Sequence, residues 1–150
     1  MASLKVPPHS KEAEKSVLGA LLMSRDAMIE VAEILREEMF YEGAHQRIYA
    51  AIISLYEDRD PIDVVTVGER LAKDKVLANV GGAAYLTELV EGVPTAAHVA
   101  GYARIVKDHY IKRSMISAAA DLTQMAFDEA SEIGHVLDKA EQAVFGLSQS

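Results

Sequence analysis

Residues 97–130 read AHVAGYARIVKDHYIKRSMISAAADLTQMAFDEA, a stretch that contains no proline and one glycine, Gly101. At about 1.5 Å per residue, one helix over this stretch would extend roughly 50 Å, which is longer than an ordinary globular helix. Ser131 can cap a further helix that runs from Glu132 to about Leu147. Because only a few residues separate the two helices, we expect them to fold back on each other as an antiparallel α-hairpin.

The two helices of this hairpin carry matching apolar rows. In each row the apolar residues follow one another at steps of four and three, the alternation that keeps one side of a helix against a straight partner. We therefore expect the two rows to pack together as the hairpin seam. On the long helix the row is Ile111, Met115, Ala118, Leu122 and Met125, and on the last helix it is Ile133, Leu137, Ala140, Val144 and Leu147.

A second apolar row lies about 100° further round the long helix. It consists of Ile116, Ala120, Thr123 and Phe127. One neighbouring helix cannot cover both rows, and two interpretations remain open. The second row is either part of a broad apolar stripe resting on the protein's own core, or a self-association interface exposed for another chain. The second interpretation has a sufficient driving force, because burying each Ile or Leu contributes about 1.5 to 3 kcal/mol and a symmetric dimer uses both copies.

The residues before the Gly-Val-Pro-Thr break at 92–95 predict a compact helical head of about five short helices. Pro7 and Pro8 favour an extended arm before Ser10 can cap the first helix. The resulting prediction is an all-α fold, with a head at residues 1–96 and a hairpin with the start of a linker at 97–150, together one structural domain. After the first helix, the predicted helices are residues 27–35 with Ser24 as cap, 43–58, 64–73 with Asp63 as cap, and 83–91.

Composition narrows the class of protein. Half of the 150 residues are apolar, which is enough for a real core, and 15 basic against 23 acidic residues give a net charge of −8 that repels phosphate backbones. There is no cysteine, so the simplest compartment is a reducing cytoplasm. We expect a soluble, unprocessed protein, because no stretch approaches a membrane span and the N-terminus lacks an apolar signal segment.

The motifs of catalysis and nucleotide binding are missing. No GxxxxGK[ST] loop and no GxSxG turn occurs. The sequence therefore predicts no catalytic, cofactor-binding or metal-binding residue, and His45 is interpreted as a hydrogen-bonding residue at a helix start. The histidines are scattered singly, without the short spacings or carboxylate partners that would place several metal ligands on one helix face, at His9, His45, His98, His109 and His135.

Three stretches, read in order, resemble the N-terminal domain of bacterial replicative DNA helicases of the DnaB family. The resemblance covers about residues 5–145. Two departures are Lys11, where an apolar residue is expected, and Met39, where an acidic residue commonly precedes the Phe-Tyr pair. The stretches are VPPHSKEAEKSVLGALL (6–22), FYEGAHQRIYAAIISLYEDRDPIDVVTV (40–67) and GGAAYLTELVEGVPTAAHVAGYARIVKDHYIKR (81–113).

The resemblance implies a non-catalytic collar domain that assembles the helicase and docks primase during DNA replication. In this family the hairpins mediate dimer contacts, the collar of the hexamer is a trimer of dimers, and a helicase loader is a further partner. ATP, Mg²⁺ and DNA are bound by the ATPase domain that follows a linker, which accounts for the missing phosphate loop. Carried over residue by residue, the primase-contact candidates are Tyr85, Ile116 and Leu122.

Two other classes of function stay open on the residues alone. One is a helical adaptor unrelated to the helicase itself, such as a helicase-loader or primase docking domain. The other is a small helical enzyme that uses the scattered histidines and carboxylates. The acidic balance argues against nucleic-acid substrates for such an enzyme.

Overall fold

The computed structural model describes residues 5–149, and these form seven α-helices and no β-strand. Short 3₁₀ turns at Glu37–Met39 and Ala78–Val80 connect some of the helices. The predicted all-α fold is therefore confirmed. The helices are α1 (Lys11–Met23), α2 (Ala27–Ile34), α3 (Gly43–Glu57), α4 (Val64–Lys73), α5 (Gly82–Glu91), α6 (Val99–Phe127) and α7 (Ile133–Ser148).

Two of the four predicted serine and aspartate caps are present. The Ser10 hydroxyl accepts a hydrogen bond from the Ala13 N–H at 3.1 Å and starts α1. Asp63 starts α4, where its carboxylate accepts from the Thr66 N–H and the Thr66 hydroxyl accepts from the Asp63 N–H, both at 2.9 Å.

The predictions for Ser24 and Ser131 were wrong. Ser24 ends α1, its N–H donating to the Ala20 carbonyl, and α2 begins without a side-chain cap. Ser131 lies in the turn before α7, where its hydroxyl donates to the Asp128 carboxylate at 2.9 Å. In both places the serine lies in the tight connection between two helices, because the next helix begins three residues after Ser24 and two residues after Ser131, not directly after the serine.

The chain divides into two units, one formed by residues 9–107 and the other by residues 5–8 with 108–149. The first is called the head unit and the second the hairpin unit. The division falls within α6, further along the chain than the boundary expected at residue 97. The reason is that the first turns of α6 belong to the core of the head unit, where Val99, Ala103 and Val106 are buried.

The core of the head unit is organised around α1. This helix packs against α5, α3 and α2, while α4 packs against both α3 and α5. Val17, Leu18 and Leu21 of α1 are buried because they recur at helical spacing on its inner side. At Gly19 a Cβ atom would lie 2.2 Å from the Leu89 carbonyl oxygen, so α1 and α5 approach more closely than any side chain allows.

The hairpin unit consists of two antiparallel helices. Residues 110–121 of α6 line one cleft together with residues 143–147 of α7, and residues 121–128 of α6 line another with Lys139. The turn between them is organised by Asp128, whose carboxylate accepts from the Ala130 N–H at 3.0 Å. Between residues 5 and 149, no helix combines the length and the apolar character of a membrane span.

Candidate protein-interaction surface

The second apolar row of α6 lies on the surface of the hairpin unit. Ile116 is 56% exposed and Phe127 is 81% exposed. Ala120 and Thr123, the two residues between them, are also exposed. This row therefore has no cover from the hairpin unit itself, and it is the row for which the sequence left a self-association interface open.

Four of the five residues that the sequence predicts for the α6 side of the hairpin seam are partly protected from solvent. Ile111, Ala118, Leu122 and Met125 are half-buried. Met115 differs, because it is 52% exposed. Its position adds an apolar side chain next to Ile116 and widens the exposed surface.

On α7 the observed seam differs from the predicted row. Ala140 and Leu147 are half-buried as expected, but Ile133, Leu137 and Val144 are exposed. The most protected side chains of this helix lie at Val136, Ala140, Ala143 and Leu147, which follow the same steps of four and three. The two rows share Ala140 and Leu147, so spacing alone cannot distinguish them. The alanines at 140 and 143 are among the half-buried residues of α7, and Ala143 lines a cleft with residues of α6.

No residue of the hairpin unit is fully buried, within the part of the chain that the structure describes. Its large apolar side chains instead form an exposed set on both helices. We call this set the hairpin surface. It consists of Met115, Ile116, Phe127, Ile133, Leu137, Val144 and Phe145.

A buried polar cluster in the head unit connects three helices. Glu14 of α1 is 1% exposed, and its carboxylate accepts from the Tyr41 N–H at 2.7 Å and the Glu42 N–H at 3.3 Å. His45 of α3 is equally buried, with Nδ1 2.8 Å from Glu14 Oε1 and Nε2 2.6 Å from the hydroxyl oxygen of Tyr85 on α5. The interpretation of His45 as a hydrogen-bonding residue at a helix start is therefore confirmed, and its partners are the Glu14 carboxylate on another helix and the Tyr85 hydroxyl.

Tyr85 is the partly exposed member of this cluster. It is half-buried, and its ring stacks on that of His45 with centroids 5.9 Å apart. Burial raises the pKa of Tyr85 to about 12, and the nearby carboxylates of Glu88, Glu42, Glu14 and Glu12 raise it in the same direction. Of the three candidates carried over from the resemblance, Tyr85 lies in the head unit, whereas the exposed Ile116 and the half-buried Leu122 lie in the hairpin unit.

A signal for Glu14 exists in the sequence, but it was missed. Glu14 stands three, four and seven residues before Val17, Leu18 and Leu21, so it lies on the apolar side of α1. A carboxylate on that side needs buried partners. Those partners, at residues 41, 42 and 45, are too distant in sequence for local spacing to identify them.

The seven helices, with no strand among residues 5–149, define the class as an all-α domain. Comparison with known proteins identifies the family. The sequence model of the DnaB-like helicase N terminal domain matches residues 6–108, and the chain belongs to this family.

Similar proteins extend the match to nearly the whole chain. Replicative DNA helicase DnaB of Geobacillus stearothermophilus is 40% identical over 147 residues, which are 98% of this chain and 32% of the relative. Replicative DNA helicase DnaC of Bacillus subtilis is 37% identical over 97% of this chain and 32% of its own length. The chain thus spans about a third of the length of these curated relatives.

Solved structures share the fold. The N-terminal domain of DnaB helicase from Mycobacterium tuberculosis has a TM-score of 0.90 and 38% identity, covering 94% of this chain and 99% of that one. A DnaB-like replicative helicase, described together with its interactions with primase, has a TM-score of 0.77 and 23% identity over 94% of this chain and 31% of that one. The latter likeness is one of fold.

Proposed function

We propose that this chain is the non-catalytic N-terminal collar domain of a replicative DNA helicase, which assembles the helicase subunits and docks primase. Membership of the DnaB-like N-terminal family supports the helicase assignment. The primase partner is supported by the solved relative whose interactions with primase were described. In this proposal ATP, Mg²⁺ and DNA are bound by an ATPase domain outside these residues, and the protein acts in the cytoplasm.

One observation carries the assembly role: the hairpin surface has no cover within its own unit. Soluble monomers rarely leave large contiguous apolar patches exposed, and such patches mark interfaces. Two helices without a fully buried side chain have little to hold them together, because stable helix pairs depend on a packed apolar seam. A second copy of the chain would supply the missing cover. Ile116 and Phe127 of the proposed self-association row belong to the hairpin surface, and Ala120 and Thr123 between them are also exposed.

A symmetric dimer is the simplest assembly that uses this surface. In a two-fold contact each copy presents the same patch, so every contact between two different residues occurs twice. Burial of a single isoleucine or phenylalanine then contributes about 1.5 to 3 kcal/mol per copy. Three such dimers would form the collar of a hexamer.

The assembly role predicts that an aspartate in the hairpin surface prevents self-association. Ile116→Asp and Phe127→Asp place a charge where the partner chain would exclude water, so we expect the dimer to weaken by at least about tenfold in dissociation constant. Multi-angle light scattering over a concentration series measures this, and circular dichroism reports whether the helices persist.

The matched control is Ile29→Asp. Ile29 is 59% exposed on α2 of the head unit, against 56% for Ile116, so the two substitutions change a similar side chain of similar exposure. We expect Ile29→Asp to leave the dimer intact. A wild-type chain that stays monomeric well above micromolar concentration would contradict the assembly role.

Docking of primase is tested by a pull-down with the cognate primase. A helicase collar domain should retain primase. An adaptor domain unrelated to the helicase should retain the helicase or its loader instead, with no direct primase contact.

A further inference from the structure

The surroundings of Glu14, His45 and Tyr85 determine which atom donates and which accepts in each hydrogen bond of this cluster. Both oxygens of the Glu14 carboxylate accept from backbone N–H groups, Oε2 from Tyr41 and Oε1 from Glu42. These donors lie just before the first turn of α3, where the helix dipole also favours negative charge. The carboxylate is therefore held as an acceptor, and the proton in its 2.8 Å contact with His45 belongs to Nδ1 of the imidazole.

The tautomer of His45 follows from this. His45 is buried and has one hydrogen-bond partner at each ring nitrogen. A neutral imidazole that donates from Nδ1 has a lone pair at Nε2. In the 2.6 Å contact between Nε2 and Tyr85, the phenolic hydroxyl must then donate inward. The hydroxyl proton of Tyr85 then points toward His45. Toward solvent, the hydroxyl oxygen can only accept a hydrogen bond.

The charges around Tyr85 match an acceptor. Glu12 and Glu88 are exposed and Glu42 is half-buried, and all three carboxylates act on the Tyr85 hydroxyl together with buried Glu14. An approaching group that donates a hydrogen bond and carries positive charge is attracted by both features. A carboxylate is disfavoured by both features, and a neutral acceptor by the direction of the hydroxyl.

We propose that Glu14, acting through His45, sets the Tyr85 hydroxyl as a hydrogen-bond acceptor and so makes this part of the head unit select an arginine or lysine side chain of the docking protein. The inference rests on the proposed function, in which Tyr85 is a contact residue for primase. It adds the chemistry of the contact and assigns Glu14 and His45 as positioning residues that the docking protein does not touch.

The first test needs no partner. Nitrogen NMR of the imidazole at neutral pH, on the intact chain, distinguishes a protonated Nδ1 with free Nε2 from the opposite tautomer and from the imidazolium. We expect the tautomer with the proton on Nδ1, with a coupling between the Tyr85 hydroxyl proton and Nε2. A proton on Nε2, in either remaining form, would make Tyr85 the acceptor inside the core and overturn the inference, whatever primase does.

The second test is a double-mutant cycle with the helicase-interaction domain of the cognate primase as probe. Tyr85→Phe removes the hydroxyl and should weaken binding about tenfold, as expected for a hydrogen bond to a charged group. Glu14→Gln can turn an amide N–H toward Nδ1, which forces the proton to Nε2 and frees the Tyr85 proton to point outward. We expect it to weaken binding by a similar factor.

The double variant distinguishes a positioning role of Glu14 from a role in the stability of the fold alone. If Glu14 acts only through the Tyr85 hydroxyl, Glu14→Gln with Tyr85→Phe binds no more weakly than Tyr85→Phe alone. Losses that multiply would overturn the positioning role. Tyr56→Phe, at another half-buried tyrosine of the head unit, is the control and should bind as the unmodified domain does.

Substitutions in primase complete the test. Replacing its arginines and lysines one at a time by methionine should identify one whose loss abolishes the effect of Tyr85→Phe. If no basic residue does so, the selection of a cation is wrong while docking stands. If the unmodified domain does not bind primase at all, the docking proposal itself fails, and this inference fails with it.

Discussion

Gly19 lies where two helices of the head unit meet most closely. A Cβ atom there would lie 2.2 Å from the Leu89 carbonyl oxygen and 2.6 Å from a methyl group of Val93. Alanine is the better helix former by about 1 kcal/mol, but the backbone carbonyl cannot move aside as a flexible side chain would. The collision is therefore the larger effect.

We expect Gly19→Ala to lower the free energy of unfolding by about 1 to 3 kcal/mol, as overpacking of a core does. Urea denaturation measures this. Gly101→Ala is the matched control. Gly101 is also in a helix, but it is exposed, and a Cβ there meets nothing within 4 Å. It should raise the free energy by about 0.5 to 1 kcal/mol. Equal effects of the two substitutions would contradict the close approach of α1 and α5.

Tyr49 makes the stability of the protein fall as the pH rises through the alkaline range. Its hydroxyl donates to the Leu35 carbonyl at 3.0 Å, and burial raises the pKa of Tyr49 to about 12. In the unfolded chain the pKa is about 10. Because the folded state holds the proton more tightly, this contribution is complete below pH 10 and is lost as the pH rises toward 12.

We expect the free energy of unfolding to fall by on the order of 2 to 3 kcal/mol over that range, through Tyr49. Urea denaturation at several alkaline pH values measures it, and tyrosine absorbance shows which rings ionise late. Tyr49→Phe should flatten the dependence, leaving the part due to Tyr85, whose pKa is raised in the same direction. An unchanged slope in this variant would count against burial of the Tyr49 hydroxyl.

At the scale of elements, the sequence predicts helices better than it predicts their contacts. The bounds expected for α3 and α4 agree with the structure to within a residue, because glycine, proline and aspartate mark the ends of these helices. The side of α7 that faces α6 was not predictable in the same way. Two rows at the same spacing share Ala140 and Leu147, and only the rotation of one helix against the other chooses between them.

Neighbouring residues of α7 test that rotation. Ala143 is half-buried toward α6, whereas Val144 is exposed. We expect Ala143→Asp to separate the two helices and reduce the helical signal in circular dichroism, at a cost of about 1 to 3 kcal/mol. Val144→Asp should leave the helices in place and weaken self-association. If Val144→Asp separates the helices and Ala143→Asp does not, the row predicted from the sequence, which contains Val144, faces α6 instead.

At the scale of the whole molecule, every fully buried side chain lies between Ala13 and Val106, within the described residues. The head unit, residues 9–107, therefore contains the core, and the family match ends at nearly the same place. The all-α class and the order of helices follow from the sequence alone. The Glu14 and His45 pair does not, since it joins residues 31 positions apart across two helices.

We expect a chain ending at Lys107 to fold and to remain monomeric. It keeps the buried residues of the head unit and loses the hairpin surface. Its thermal transition should be cooperative and independent of protein concentration, as measured by circular dichroism and light scattering. A truncated chain that still forms dimers would move the assembly contact to the head unit.

Because the hairpin unit has no fully buried side chain, its stability should depend on contacts with a second copy of the chain. In the proposed dimer, the two helices of the hairpin unit would gain part of their stability from the second copy, so dilution would loosen them before it affects the head unit. A subunit alone would then expose this end of the chain to proteolysis, while a paired one would resist it. In the proposed assembly, dimerisation would also complete the folding of the hairpin unit.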